Sequence, residues 1–316
     1  MTVLRAVVLG LGSIATKIHL PILCGRADIS IVGYIEPDDN TASRVSGLFP
    51  LGKRLMKLED TKSVMPEMVF VFSPKQTHFQ IVRFFLEETD CSIFTEKPLA
   101  STIEEALMIA SLAEKKSRIV FVNLNRRYAP VYRMAKEAFD NRLPDVCIAQ
   151  KNRPETEYRA TLENAIHMVD LLRWFCGEPE GVQALSKYED PYFENSVVAS
   201  IQFENSLGIL VANRSSGEWV EKLELYGSNT TIAVDAPESI SITREGVTST
   251  SKLTPAHMGW ADTSHRFGFA DAIEHFFECV QSGSTPITSA EEAYRSQLLM
   301  DTILKSAGLP LDDRKE

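Results

Sequence analysis

The sequence predicts a chain in two parts, an α/β half built on a parallel sheet followed by an α+β half, and three observations carry that expectation. From Val3 to about Val122, short β-branched or apolar runs alternate with amphipathic helical stretches, the rhythm of βαβ units. Beyond Asn125 that rhythm gives way to helices and several short strands with turn residues between them. At 316 residues and 44% hydrophobic content, the chain is long enough for two cores rather than one. The expected division is 1–122 and 123–316.

In the first half the expected strands are Ala6–Leu9, Ser30–Ile35, Met68–Phe72, Ser92–Thr95 and Arg118–Val122. Helices are expected over Ala15–Arg26, Gln76–Glu88 and Thr102–Lys116, the last with Ser101 as N-cap and Glu104 completing a capping box. In the second half a helix over Tyr128–Phe139 leads through Pro144 to a strand at Val146–Lys151. A further helix over Thr161–Phe175 is stopped by Gly177 and Pro179. Strands follow at Ser196–Phe203, Leu207–Asn213, Lys222–Tyr226 and Thr230–Val234, with Glu204-Asn205-Ser206 and Gly227-Ser228-Asn229 as hairpin turns. Helices over Arg266–Gln281 and Ala290–Ser306 close the chain. There is no internal repeat, low-complexity tract or long linker.

Composition excludes several classes. The five cysteines, Cys24, Cys91, Cys147, Cys176 and Cys279, are odd in number and widely spaced, without a C-x-x-C pair or a histidine cluster. They are expected as reduced thiols in a cytoplasmic protein, and no metal site is expected. The apolar run from Val3 to Leu11 lacks a basic leader and a cleavage site, so a buried first strand explains it better than a signal peptide. No later stretch approaches the roughly 20 apolar residues of a membrane span. A formal net charge of -10 without a basic block argues against nucleic acid. A small-molecule partner is expected.

Gly10-Leu11-Gly12-Ser13-Ile14-Ala15 follows an expected strand and opens an expected helix, the context that a G-x-G-x-x-G/A dinucleotide fingerprint requires. Gly10 permits the tight turn, Gly12 admits the pyrophosphate close to the backbone, and Ala15 keeps helix against strand. Ser13 and Ile14 lie where helix N–H groups face the anion. Glu36 ends the second expected strand, where a carboxylate accepts hydrogen bonds from ribose hydroxyls and repels a 2′-phosphate; no Arg or Lys follows until Arg44. NAD is therefore the expected cofactor, against the blander reading of a glycine turn beside a solvated acid.

Ser73-Pro74-Lys75 with His78 follows one strand and Glu96-Lys97-Pro98 another; later come Asn125-Arg126-Arg127-Tyr128, His167-x-x-Asp170 and Glu224-Leu225-Tyr226-Gly227. In this order the motifs resemble the glucose-fructose oxidoreductase, inositol dehydrogenase and MocA family, over almost the whole chain. The resemblance implies a Rossmann domain followed by a domain on a large, mostly antiparallel open sheet, one face of which often mediates assembly into a dimer or tetramer. It implies hydride transfer between nicotinamide and a carbinol or ketone carbon of a sugar, cyclitol or related polyol. Ser73, Pro74, His78, Glu96 and Lys97 would border the cofactor, and Asn125, Arg126, Tyr128 and Lys151 the substrate.

Such chemistry needs a group that removes the hydroxyl proton as hydride leaves. Lys97, just past a strand's C-terminal end, is one candidate, against a solvated loop lysine. His167 is the other, against a core histidine among Ile166, Leu171 and Trp174. Glu163 precedes His167 by one α-helical turn and would orient the imidazole, at a place where the family usually has Asp. Asp170 is expected to make structural contacts in its helix, and Arg127 either a substrate contact or a surface salt bridge. Trp219 and Trp260 could wall a sugar, although core packing is the simpler expectation. The competing functional reading is a catalytically inactive dinucleotide-sensing regulator or scaffold of the same fold; trans-glycosidic chemistry with bound NAD has no local support.

Overall fold

A computed structural model describes residues 3–139, 142–253 and 263–311. The chain divides into two compact units, one comprising the residues up to Leu124 with Phe269–Tyr294, the other Asn125–Gly268 with the residues from Arg295 onward.

The first unit contains strands β1 (Leu4–Leu9), β2 (Ile29–Ile35), β3 (Lys53–Arg54), β4 (Met68–Val71), β5 (Ser92–Thr95) and β6 (Val120–Val122). They form one sheet in the order β3-β2-β1-β4-β5-β6, and every pairing is parallel. β4 reads Met-Val-Phe-Val with all four residues buried, the continuous apolar run of a strand covered on both faces. The strand order reverses between β1 and β4, which opens a crevice at their C-terminal ends.

Helices α1 (Leu20–Cys24), α2 (Asp39–Ser46), α3 (His78–Glu88) and α4 (Ile103–Lys115) belong to this unit. α1 is preceded by a π-helical turn over Ala15–His19, so the helix after the glycine turn is not uniformly α. The α4 N-cap is Thr102, which accepts from the Glu105 backbone at 3.3 Å; the expected Ser101 instead donates to the Lys75 carbonyl at 3.4 Å. The helix Phe269–Ser282 returns to this unit late in the chain. Its Phe276 packs 5.5–5.8 Å, ring centre to ring centre, from Phe70, Phe94 and Phe121.

The second unit contains β7 (Val146–Asn152), β8 (Pro179–Lys187), β9 (Ser196–Phe203), β10 (Leu207–Asn213), β11 (Val220–Gly227), β12 (Thr230–Asp235), β13 (Ser239–Arg244) and β14 (Val247–Lys252). They form one sheet in the order β14-β13-β12-β11-β7-β10-β9-β8, antiparallel except for β7 with β10. Strict alternation, as in β9 (intermediate at Ser196, then buried and exposed in turn), leaves one face inward. Helices α5 (Pro130–Ala138) and α6 (Ile166–Cys176) cover that face, and Val131, Tyr132, Val169, Leu172, Leu210, Leu223 and Ile232 share its core. The β11–β12 turn places Ser228 and Asn229 at φ 49° and 54°, the left-handed pair of a type I′ hairpin.

Among the described residues no helix is long and apolar enough to cross a membrane. All five cysteines are free thiols.

Candidate active site

The glycine turn sits at the C-terminal end of β1. Gly10 has φ +87°, and a Cβ there would stand 2.6 Å from the Ser73 backbone nitrogen, so both the torsion and the approach of the β4 loop demand glycine. At Gly12, by contrast, an added Cβ meets nothing within 4 Å. The turn is open on that side, and the helix that begins at Ser13 and Ile14 turns its first N–H groups toward it; this cradle fits a diphosphate. Glu36 is half-buried beside the turn, its carboxylate accepting from the Leu11 nitrogen at 2.8 Å and the Asp38 nitrogen at 3.0 Å. Arg54, distant from Glu36 in the sequence, is brought alongside β2 by β3. Its guanidinium donates to the Glu36 carbonyl at 2.8 Å and pairs with Asp39 at 2.7 Å.

The two loops after β4 and β5 are tied together by His78. Its buried ring spans the carbonyls of Pro98, 2.8 Å from Nδ1, and Ser73, 2.9 Å from Nε2. One nitrogen donates in the neutral ring and both donate when it is protonated. Ser73 and Pro74 lie on the exposed side of this clamp, and the Ser73 hydroxyl bonds to that of Thr77 at 2.7 Å.

Glu96, expected at the cofactor, faces inward instead. Its Oε1 lies 2.7 Å from His19 Nε2 and accepts from Asn123 Nδ2 at 2.7 Å, while Oε2 accepts from the Lys97 backbone at 3.2 Å. Burial alone would push this carboxyl up, but the hydrogen bond and charge of His19, with Asn123 and Lys97 adding to them, hold it below the usual carboxylate range. His19 is fully buried, stacked 4.1 Å from the Phe72 ring. The sequence reading missed it, although a polar residue on the buried face of an otherwise apolar helix was the available signal. Lys97, half-buried, follows this locked carboxylate directly, at a cis Lys97–Pro98 bond.

In the second unit, Asn125–Tyr128 forms a buried 3-10 turn that displays alternate side chains to different partners. Asn125 donates to the Phe267 carbonyl at 2.8 Å. Arg126 grips Glu221 with two bonds, at 2.5 and 3.0 Å. Arg127 makes no surface salt bridge: it is buried and bonds Asp170 at 2.9 and 2.7 Å, and Asp170 also accepts from Ser296 at 2.8 Å. Tyr128 is buried.

Lys151 lies 2.9 Å from Glu221 and Arg153 3.5 Å from it, and the Tyr132 hydroxyl donates to it at 3.2 Å. Glu221 was missed; its signal is an acid at an inward position of β11, in phase with the buried Leu223 and Leu225. Burial would raise this carboxyl, but Arg126 and Lys151 hold it far below the usual range. Burial drives Lys151 well below an ordinary lysine, with Glu221 opposing.

His167 is buried near the start of α6. Glu163 is half-buried within a π-helical turn over Ala160–Ala165, so the α-helical phase expected between Glu163 and His167 is broken by a wider turn. Trp219 is not core: it is 57% exposed and carries the Arg153 guanidinium 3.5 Å over its ring. Trp260 lies outside the described residues. Among the described residues no group of three or more His, Cys, Asp or Glu is placed to hold a metal.

The β3-β2-β1-β4-β5-β6 order, the glycine turn and the acid beside it define a dinucleotide-binding oxidoreductase domain. The model of the oxidoreductase family with an NAD-binding Rossmann fold, GFO_IDH_MocA, matches residues 4–124, and the model of that family's C-terminal alpha/beta domain matches residues 151–309. The chain belongs to this family and is an NAD-dependent oxidoreductase.

Among its relatives is YceM of Salmonella typhimurium, 27% identical over 97% of this chain and 99% of that one. Inositol 2-dehydrogenase of Rhizobium meliloti is 22% identical over 97% of both chains. An Agrobacterium radiobacter oxidoreductase, solved in complex with NAD+, L-tartaric acid and magnesium, has the same fold, with a TM-score of 0.86, 16% identity and 97% of both chains covered.

Proposed function

We propose that the protein interconverts a carbinol and a ketone on a sugar, cyclitol or related polyol, with Lys97 and His167 handling the hydroxyl proton. The carrying observation is the setting of Lys97: a half-buried cation in a loop fixed on one side by the buried His19–Glu96–Asn123 cluster and on the other by the His78 clamp. Bound NAD supplies a hydride acceptor, or in reverse a donor, at C4 of its nicotinamide.

The protein's own share is proton handling and charge stabilisation. Lys97 offers an ammonium that stabilises developing alkoxide on the substrate oxygen. Neutral His167 accepts the hydroxyl proton as the carbonyl forms, and Glu163, displaced by the wider π turn, keeps the orienting role only if its longer side chain spans that change of phase. Asn125, Arg126, Tyr128 and Lys151 border the substrate. Inositol 2-dehydrogenase among the full-length relatives supports a polyol-like substrate.

The same reading includes a cytoplasmic homo-oligomer. The outward face of the larger sheet supports it, since Leu185 and Val198 are paired neighbours there and are 80% and 48% exposed.

The test is nicotinamide absorbance change on a panel of polyols and keto-sugars. At least one substrate should turn over, and Lys97→Met should abolish turnover while retaining NAD affinity. Undiminished activity in that variant removes Lys97 from the mechanism, and no turnover across the panel favours the non-catalytic reading.

A further inference from the structure

We infer that the buried basic cluster of the second unit, Arg126, Lys151 and Arg153 around Glu221, binds an anionic group of the substrate, a carboxylate or a phosphate. The inference rests on the reading that this unit holds the substrate, and it narrows the substrate class from polyols in general to those that carry an acid.

The first argument is charge. Arg126, Lys151 and Arg153 are 6%, 2% and 4% exposed, and Glu221 is the carboxylate that pairs with each of them. Among the described residues three basic side chains share one carboxylate, so basic groups outnumber their acid out of water. Arg126 alone grips both carboxylate oxygens of Glu221; Lys151 and Arg153 fill its remaining acceptor sites and add desolvation cost, and among the described residues no further anion offsets it. Burial pushes both Lys151 and Arg153 below their ordinary values, with Glu221 opposing and Arg126 adding repulsion, whereas Arg126, against the same desolvation, is raised by Glu221.

The second argument is hydrogen-bond type. Arginine and lysine only donate. A neutral polyol presents hydroxyls that both donate and accept, and it is best served by a mixed wall. Carboxylate and phosphate oxygens only accept, and they match the fork of a guanidinium in geometry as well as charge.

The third argument is access. The Arg153 guanidinium is stacked 3.5 Å from the Trp219 ring, and Trp219 is itself 57% exposed, so an exposed side chain covers the cluster at this edge and an anion would enter by displacing it. Trp219 also gives a flat apolar face beside the charge, suited to the carbon skeleton of an acidic sugar.

Titration calorimetry of the NAD-bound protein with malonate, inorganic phosphate and uncharged erythritol at fixed ionic strength tests the inference. One of the two anions should bind at least about tenfold more tightly than erythritol; which of the two does so decides between carboxylate and phosphate. R153M should weaken that binding by roughly ten- to a hundredfold, the range for losing a charge-assisted hydrogen bond, whereas R153K, which keeps the charge and loses the fork, should weaken it by less than R153M does. A cooperative urea transition followed by tryptophan fluorescence reports folding of each variant, since the tryptophans fall in the second unit's stretch of sequence, and K151Q replaces R153M if that one does not fold.

Equal binding of erythritol and both anions, or undiminished anion affinity in folded R153M, overturns the proposal. Turnover of polyols without anion binding overturns it while leaving the dehydrogenase reading intact. Anion binding that depends on Arg153, without turnover of any substrate, supports it and removes that reading instead.

Discussion

Replacing Asp170 with asparagine removes one charge from a buried pair and leaves the shape nearly unchanged. Asp170 is fully buried, Arg127 is 4% exposed, and two hydrogen bonds of 2.7 and 2.9 Å join them. Breaking such a pair from one side costs about 3–5 kcal/mol, because the remaining charge has lost its compensation. Asparagine keeps an oxygen for the Ser296 hydroxyl, now 2.8 Å away, and for one of the two guanidinium bonds, which places the expected cost near the lower end, about 3 kcal/mol.

Urea unfolding followed by tryptophan fluorescence isolates the effect, since all three tryptophans, Trp174, Trp219 and Trp260, fall within the second unit's stretch of sequence. At an m-value of about 3 kcal/mol per M, the midpoint should fall by about 1 M. The double variant Arg127→Met with Asp170→Leu should recover most of the loss, because an apolar pair carries no stranded charge. A midpoint within about 0.2 M of wild type in Asp170→Asn, on the same m-value scale, refutes the reasoning. So does a double variant no more stable than the single one.

Two further predictions concern the first unit. Gly12→Val should leave cofactor-free stability within about 0.5 kcal/mol, because its Cβ meets open space, yet raise the NAD Kd by more than about tenfold; Gly10→Ala should itself destabilise by about 1–3 kcal/mol through its left-handed torsion and clash with Ser73. Calorimetry and thermal unfolding of the two variants check both statements. For Glu96, whose carboxyl is held below its ordinary value, the stabilising contribution is complete above the ordinary carboxylate pKa and is lost as pH falls through the lower folded value. Glu96→Gln should therefore flatten the acid limb of a stability-against-pH curve while lowering the neutral plateau; an unchanged acid limb contradicts it.

The elements that the sequence made legible were those with strong local pattern. β9, β10 and the helix Ala290–Ser306 begin and end where alternation or helical periodicity does. β13 and β14 escaped notice because Ser-Ile-Ser-Ile-Thr-Arg and Val-Thr-Ser-Thr-Ser-Lys carry little apolar signal. They are strands by virtue of pairing, including hydroxyl contacts of 2.8 Å from Ser241 to Thr250 and Thr243 to Thr248. β8 opens Pro-Glu-Gly, which reads as a loop, and exists as an edge against β9.

At the site, the glycine turn and Glu36 were readable because their chemistry is local to one βαβ unit. His19, Arg54 and Glu221 were not, because each acquires meaning only from a partner far along the chain: His19 from Glu96, Arg54 from the end of β2, Glu221 from Arg126. The two π turns were equally hidden, since an extra residue in a turn leaves hydrophobic spacing nearly unaltered over one winding.

The late return of Phe269–Tyr294 to the nucleotide-binding unit has a consequence for biogenesis. Phe276 completes an aromatic cluster seeded by Phe70, Phe94 and Phe121, so during synthesis that cluster waits, with an apolar surface uncovered, until about 150 further residues have emerged. Cutting the gene at residue 124 would reproduce that unfinished state permanently. A fragment that keeps the nucleotide fold would instead need the distal helix grafted back across the excised segment, as a circular permutation or a short bridging linker would allow.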